Sequence, residues 1–139
     1  MEIAPYLIFN GDCRTAFNFY EQLLGGKIEF SMTYGESPAA GESSPDMKDK
    51  IIHVRLNVRG QTLMGSDAHG GRYEKPQGTW VSLMVDSAAD AERIFKGLSE
   101  DGSTVMALQK TFWAEAFGMC VDRFGMMWMV NAENKDPRS

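Results

Sequence analysis

Cysteine is scarce: Cys13 and Cys120 are the only two in 139 residues, far apart and without Cys-x-x-Cys spacing. Neither a disulfide framework nor a thiolate zinc site is indicated, and two reduced, packed thiols are the expectation. Long apolar runs are also missing, since none approaches the roughly 20 residues of a membrane-spanning helix. The opening MEIAPYLIF lacks the basic segment and small-residue cleavage site of a secretory signal. A cytoplasmic location is therefore expected. Basic residues are outnumbered, 14 to 19, giving a net charge of −5. They form no cluster able to follow a phosphate backbone, so nucleic acid is not an expected partner. What is present is an ordinary globular balance, 43% apolar and 24% charged, which excludes disorder. The length suits one core, a single domain over residues 1–139.

The run Ile3 to Phe9 reads as a short strand, ended by Asn10, Gly11 and Asp12, with Asp12 a fair helix N-cap. From Cys13 to Leu24, Ala16, Phe19, Tyr20, Leu23 and Leu24 recur at helical spacing until Gly25 and Gly26 stop them. Lys27 to Tyr34 alternates Ile28, Phe30 and Met32 against Lys27, Glu29 and Ser31, the period of a half-buried strand. Residues 35–49 are rich in Gly, Ser, Pro and acids and read as a long mobile surface loop. IIHVRLNV and QTLMGS are two alternating runs joined at Arg59 and Gly60, a tight hairpin.

After the polar stretch DAHGGRYEKPQG the order begins again. TWVSLMVD reads as a strand, and a helix follows through Ala91, Ile94, Phe95 and Leu98. Three further strand candidates cover Thr104 to Lys110, Phe117 to Val121 and Met126 to Asn131. LIFN lies 76 positions before LMVD, and Gly26 lies 76 before Gly102, while the helix stripes match better at 75. The reading is α+β: two βαβββ repeats, about 3–68 and 78–132, in which each unit's sheet needs cover on both sides. Two ferredoxin-like units in βαββαβ order are the alternative fold.

Several stretches, PYLIFNGDCRTAFNFYEQLLGG, MTYGESP, HVRLNVRGQTLMGSDA, PQGTWVSLMVD and QKTFWAEAFGMCVDRFGMMWMVN, resemble the PhnB-like branch of the vicinal-oxygen-chelate superfamily (glyoxalase/bleomycin resistance/dioxygenase). TFWAEAFG and DRFGMMWM are the most specific of them. The resemblance spans nearly the whole chain and implies curved sheets around a cavity. Proteins similar to this branch carry labels connected with phosphonate metabolism or demethylubiquinone methyl transfer. For the latter, the chain has no glycine-rich strand-to-helix loop, because Gly25 and Gly26 end a helix instead of opening one.

In superfamily enzymes such as glyoxalase I, one side chain from each of the first, fourth, fifth and eighth strands holds a divalent metal. The resemblance places Ala4, Met64, Trp80 and Met129 there. None is an ordinary ligand of a hard or borderline divalent ion. No metal and no cofactor are therefore expected.

The same placement turns Tyr6, Ile8, His53, Arg55, Asn57, Thr62, Met64 and Ser66 toward the cavity in the first unit, with Val54, Leu56 and Val58 against the helix. In the second unit Trp80, Ser82, Met84, Met127, Met129 and Asn131 point inward. The wall so formed is apolar, methionine-rich and aromatic, the composition of a small-molecule site.

His53 is a candidate general base or hydrogen-bond donor, or else a satisfied strand histidine. Arg55, on an inward face, needs a partner, either Glu115 or an anionic ligand group. Glu115, in a loop between Trp113 and Phe117, is a candidate acid or base, or a loop carboxylate paired with Arg55, Arg123 or solvent. His69 in AHGGR reads as a surface histidine, and the ten methionines as packing residues.

Two functions remain open. One is a metal-free small-molecule binding protein whose ligand, apolar or aromatic with a polar or anionic end, meets Tyr6, His53, Arg55, Met64, Trp80, Ser82, Trp113, Glu115 and Met129. The other is a superfamily enzyme of lyase, isomerase or dioxygenase type, using His53 and Glu115 or an unrecognised metal site. The resemblance also implies a homodimer.

Overall fold

A computed structural model describes residues 1–38, 40–42 and 44–134. The chain divides into two compact units, Met1–Glu74 and Lys75–Ser139. In the first, β1 (Tyr6–Phe9) leads into α1 (Cys13–Leu24), followed by β2 (Lys27–Thr33), β3 (Ile51–Val58) and β4 (Gln61–Asp67). The second runs β5 (Val81–Val85), α2 (Ala88–Ser99), β6 (Ser103–Gln109), β7 (Ala114–Val121) and β8 (Met127–Glu133). The order is βαβββ twice, which removes the ferredoxin-like alternative.

The sheets share one topology, β1-β4-β3-β2 and β5-β8-β7-β6, with the first strand of each unit parallel to its last. In both, one face is packed by the unit's own helix. Buried Leu7, Phe9, Val54, Leu56 and Leu63 meet Cys13, Ala16, Phe17 and Tyr20 of α1, where the rings of Phe9, Phe17 and Tyr20 pack at 5.5 to 6.4 Å. In the second unit Ala91, Ile94, Phe95 and Leu98, spaced along one stripe of α2, meet Ala116, Cys120, Trp128 and Val130.

The two helices start differently. Ser87 caps α2, its side chain accepting from the Asp90 N–H at 3.1 Å. Asp12, expected to cap α1, makes no side-chain cap bond; the Cys13 N–H instead donates to Asp67 Oδ1 at 3.0 Å, across 54 residues from the end of β4. A buried carboxylate on the sheet thus does the work expected of a local cap. Gly25 ends α1 in the left-handed region, φ 71°, as its residue type suggests.

The offset of 76 has a packing cause. A Cβ added at Gly26 would stand 2.6 Å from Asn57 O, and one at Gly102 2.1 Å from Val121 O. In both units the chain leaving the helix passes so close to the third strand's backbone that only glycine fits.

Three expectations change. Residues 35–49 are not featureless: Gly35 N–H donates to Lys48 O, single turns form at Ala40–Glu42 and Pro45–Met47, and Ser37 and Met47 are buried. β7 begins at Ala114, three residues earlier than expected, because Ala114 and Ala116 are buried on either side of exposed Glu115 in strand alternation. β2 does not keep one face throughout: the register shifts between Ile28, paired with Leu56, and Phe30, paired with Arg55. A bulge at Glu29 therefore leaves Ile28 on the helix side and turns Phe30 and Met32 to the other. Among the described residues no helix is long and apolar enough to cross a membrane.

Candidate functional site

Residues paired across neighbouring strands share a sheet face, so the register maps the side opposite each helix. In the first unit Tyr6 pairs with Met64, Met64 with Arg55, and Arg55 with Phe30, forming one row. The adjacent row includes the Ile8–Ser66 and His53–Met32 pairs. Tyr6 Oη lies 3.1 Å from His53 Nδ1, the two rings stack at 5.7 Å, and Phe30 packs against His53 at 5.8 Å. Donation from Nδ1–H to the phenol oxygen leaves the Nε2 lone pair free, whereas donation from the phenol to Nδ1 leaves the proton on Nε2.

Arg55 donates to Thr62 Oγ1 at 3.2 Å and touches the Met64 sulfur at 3.8 Å. Its acidic neighbours within its own unit are Glu2 at 3.5 Å and Glu29 at 3.7 Å, both half-exposed. Glu29 reaches Arg55 because the β2 bulge carries it there, a relation without a sequence signature. Contacts this long between exposed groups contribute little to stability, so the guanidinium remains open to a better anion.

In the second unit Ser82 pairs with Met129, Met84 and Phe117 with Asn131, and Met119 with Met129. Relative to the parallel strand pair, His53 and Arg55 of the first unit correspond to Phe117 and Met119 of the second. One open face thus carries a cation and an imidazole, and the other is methionine and aromatic. Trp113 stands just before β7 with its ring edge-on to Phe117 at 5.5 Å. Glu115 is exposed on β7, and Trp80 is half-buried immediately before β5, one position outside the strand. Tyr6, His53, Arg55 and Met64 are therefore brought together in unit one, and Ser82 and Met129 in unit two. Phe30, Met32 and Asn131 are additions the sequence reading left out of its ligand set.

Buried carboxylates serve the fold. Asp67 accepts from the Cys13 and Ile51 N–H groups, and Asp122 from Phe124, Met126 and the Trp128 indole. Burial pushes the Cys13 thiol far above its ordinary range, with nearby Asp67 adding to the effect, and pushes Cys120 up to about 11. Neither is a nucleophile at neutral pH.

The superfamily metal positions do not fit a metal here. Met64 and Met129 occupy equivalent places in the two sheets, and Ala4 and Trp80 precede β1 and β5. Among the described residues, no three His, Cys, Asp or Glu side chains are grouped to hold an ion. Thioethers, a methyl group and an indole are the wrong donors for a divalent ion that takes imidazole and carboxylate.

Two βαβββ units with this strand order define the vicinal-oxygen-chelate class, here in its PhnB-like form. Residues 1–131 match the family model described as 3-demethylubiquinone-9 3-methyltransferase, and the chain belongs to that family. It is 31% identical over 147 aligned residues to protein YjdN of Escherichia coli (strain K12), with 99% of each chain covered. The crystal structure of protein PA1353 from Pseudomonas aeruginosa is 52% identical with a TM-score of 0.88, covering 96% of this chain and 98% of that one. A Bacillus cereus PhnB protein shares the fold at 23% identity and a TM-score of 0.77, over 95% and 99% of the two chains.

Proposed function

We propose that the protein binds a small molecule, without a metal, on the open sheet face of its first unit, and that the ligand is apolar or aromatic with an anionic end. The observation that carries this reading is Arg55, whose acidic contacts in its unit are the long ones to Glu2 and Glu29, on a face whose apolar part is Tyr6, Ile8, Phe30, Met32 and Met64. Such a face gives a ring its stacking partners and an anion its guanidinium. Benzoate and larger aromatic carboxylates should raise the melting temperature of the protein, and Arg55→Ala should weaken their binding about tenfold or more. Indifference of the wild-type protein to every compound class in a thermal-shift screen would sink the proposal.

A second reading is supported by the Tyr6–His53 pair. Nδ1–H donating to the Tyr6 oxygen would hold the ring in place and leave the Nε2 lone pair free, as a positioned general base requires. His53 is then the base, and Glu115, exposed on the second unit, the further candidate acid or base. Tyr6→Phe would lower turnover and shift its pH profile if this holds; binding lost without any turnover would leave only the first reading. A cytoplasmic, homodimeric protein completes the proposal.

A further inference from the structure

The open face of the second unit contains a buried amide whose needs the fold does not meet. Asn131 is 8% exposed, and its Oδ1 is buried with no hydrogen-bond partner. Its Nδ2 donates to the Met84 sulfur at 3.5 Å, and the Ser82 hydroxyl donates to that same sulfur at 3.8 Å. Two donors therefore converge on a thioether, a weak acceptor, beside an idle carbonyl oxygen. Turning the amide over does not help, because it leaves the nitrogen without a partner instead.

The fold does not demand an amide there. By register, Asn131 opposite Met84 corresponds in the first unit to Ser66 opposite Ile8, and that sheet closes equally well with the smaller side chain. Around Asn131 the face is apolar: Phe117 and Met84 pair with it, and Met129 and Met119 lie one row away.

We infer that this face is a binding site for a lactam or carboxamide carried on a flat apolar ring system, read by Asn131 and Ser82. The ligand carbonyl takes the place of the Met84 sulfur and accepts from Ser82 Oγ and Asn131 Nδ2. The adjacent ligand N–H donates to Asn131 Oδ1, the paired geometry by which an asparagine reads an adenine edge. Met84 is 63% exposed, so its flexible side chain swings aside without breaking packing and lies against the ring. The inference rests on the small-molecule reading above but concerns different residues and a different ligand group.

The probe is 2-quinolone, a lactam on a fused ring, compared with 1-methyl-2-quinolone, which lacks the N–H donor, by calorimetry on the full chain. The unmethylated compound should bind about tenfold more tightly, the worth of one buried hydrogen bond. Asn131→Leu should remove that difference and leave the melting temperature unchanged or higher, because the idle polar atom is gone. Equal affinity of the two compounds, binding of neither, or discrimination that survives in Asn131→Leu would overturn the inference. So would a lowered melting temperature in that variant, which marks a structural amide. A changed oligomeric state with unchanged binding would overturn it too, by assigning the face to a second copy of the chain. If aromatic carboxylates bind through Arg55 while 2-quinolone fails, the lactam site alone is lost.

Discussion

Asp67, 2% exposed, joins three parts of its unit: its carboxylate takes the Cys13 and Ile51 N–H groups, and its carbonyl takes the Tyr34 hydroxyl at 2.8 Å. Asp122 has the same office in the second unit, tying the last turn to the Trp128 indole at 2.8 Å. Hydrogen bonds to a charged acceptor are worth about 1.5–3 kcal/mol each, and donors left buried without a partner add a penalty. Asp67→Ala and Asp122→Ala should each lower the unfolding free energy by about 3 kcal/mol in urea titrations; a loss under about 1 kcal/mol would show that these carboxylates are dispensable.

The two thiols give a residue-scale test of burial. Burial holds the Cys120 pKa up to about 11, above its ordinary value of 9.0, so the unfolded chain deprotonates first as pH rises. Its contribution to stability is present in full below about pH 9 and is lost progressively toward about 11. Iodoacetamide at pH 8 should leave both cysteines unmodified in the native protein and alkylate both in denaturant; rapid native labelling would contradict their burial.

At the scale of elements, two contrasts between the units can be measured. Ser87 makes the cap bond that Asp12 does not, so Ser87→Ala should cost about 1 kcal/mol while Asp12→Ala at α1 gives a smaller change in cap energy. Gly26→Ala and Gly102→Ala press a methyl group onto the backbone of the third strand and should each cost about 2–3 kcal/mol, with Gly102 the worse because its backbone contact is at 2.1 Å against 2.6 Å at Gly26. Equal stability of wild type and Gly102→Ala by urea unfolding would show that the close passage opens without strain.

At the scale of the molecule, the same topology is built twice, and the faces opposite the helices differ chiefly where His53 and Arg55 in one unit correspond to Phe117 and Met119 in the other. The chemistry that would hold a superfamily metal is replaced by Met64 and Met129 at equivalent strand positions. Purified protein dialysed against buffer should therefore carry zinc, nickel, manganese and iron well below one ion per chain by elemental analysis. A stoichiometric ion surviving dialysis would overturn the metal-free proposal. A ligand present at 100 times its Kd should add about 2.7 kcal/mol to unfolding, a shift that a melting curve reads easily. Sedimentation should give twice the chain mass.

Much of this was legible in the residues alone because strand and helix periods are local. The alternation in IIHVRLNV placed His53 and Arg55 opposite Val54 and Leu56, and the stripe Ala91, Ile94, Phe95 and Leu98 fixed the buried face of α2 before any pairing was known. The recurrence of the motifs implied the duplicated βαβββ order. What the sequence could not carry were facts about partners distant along the chain. The Glu29 bulge that turns Phe30 toward His53, the Asp67 carboxylate capping a helix 54 residues away, the Tyr6–His53 hydrogen bond and the idle carbonyl of Asn131 all depend on register between strands. Period is a property of neighbours in sequence, whereas register is set when separate strands meet, and only the tertiary structure decides it.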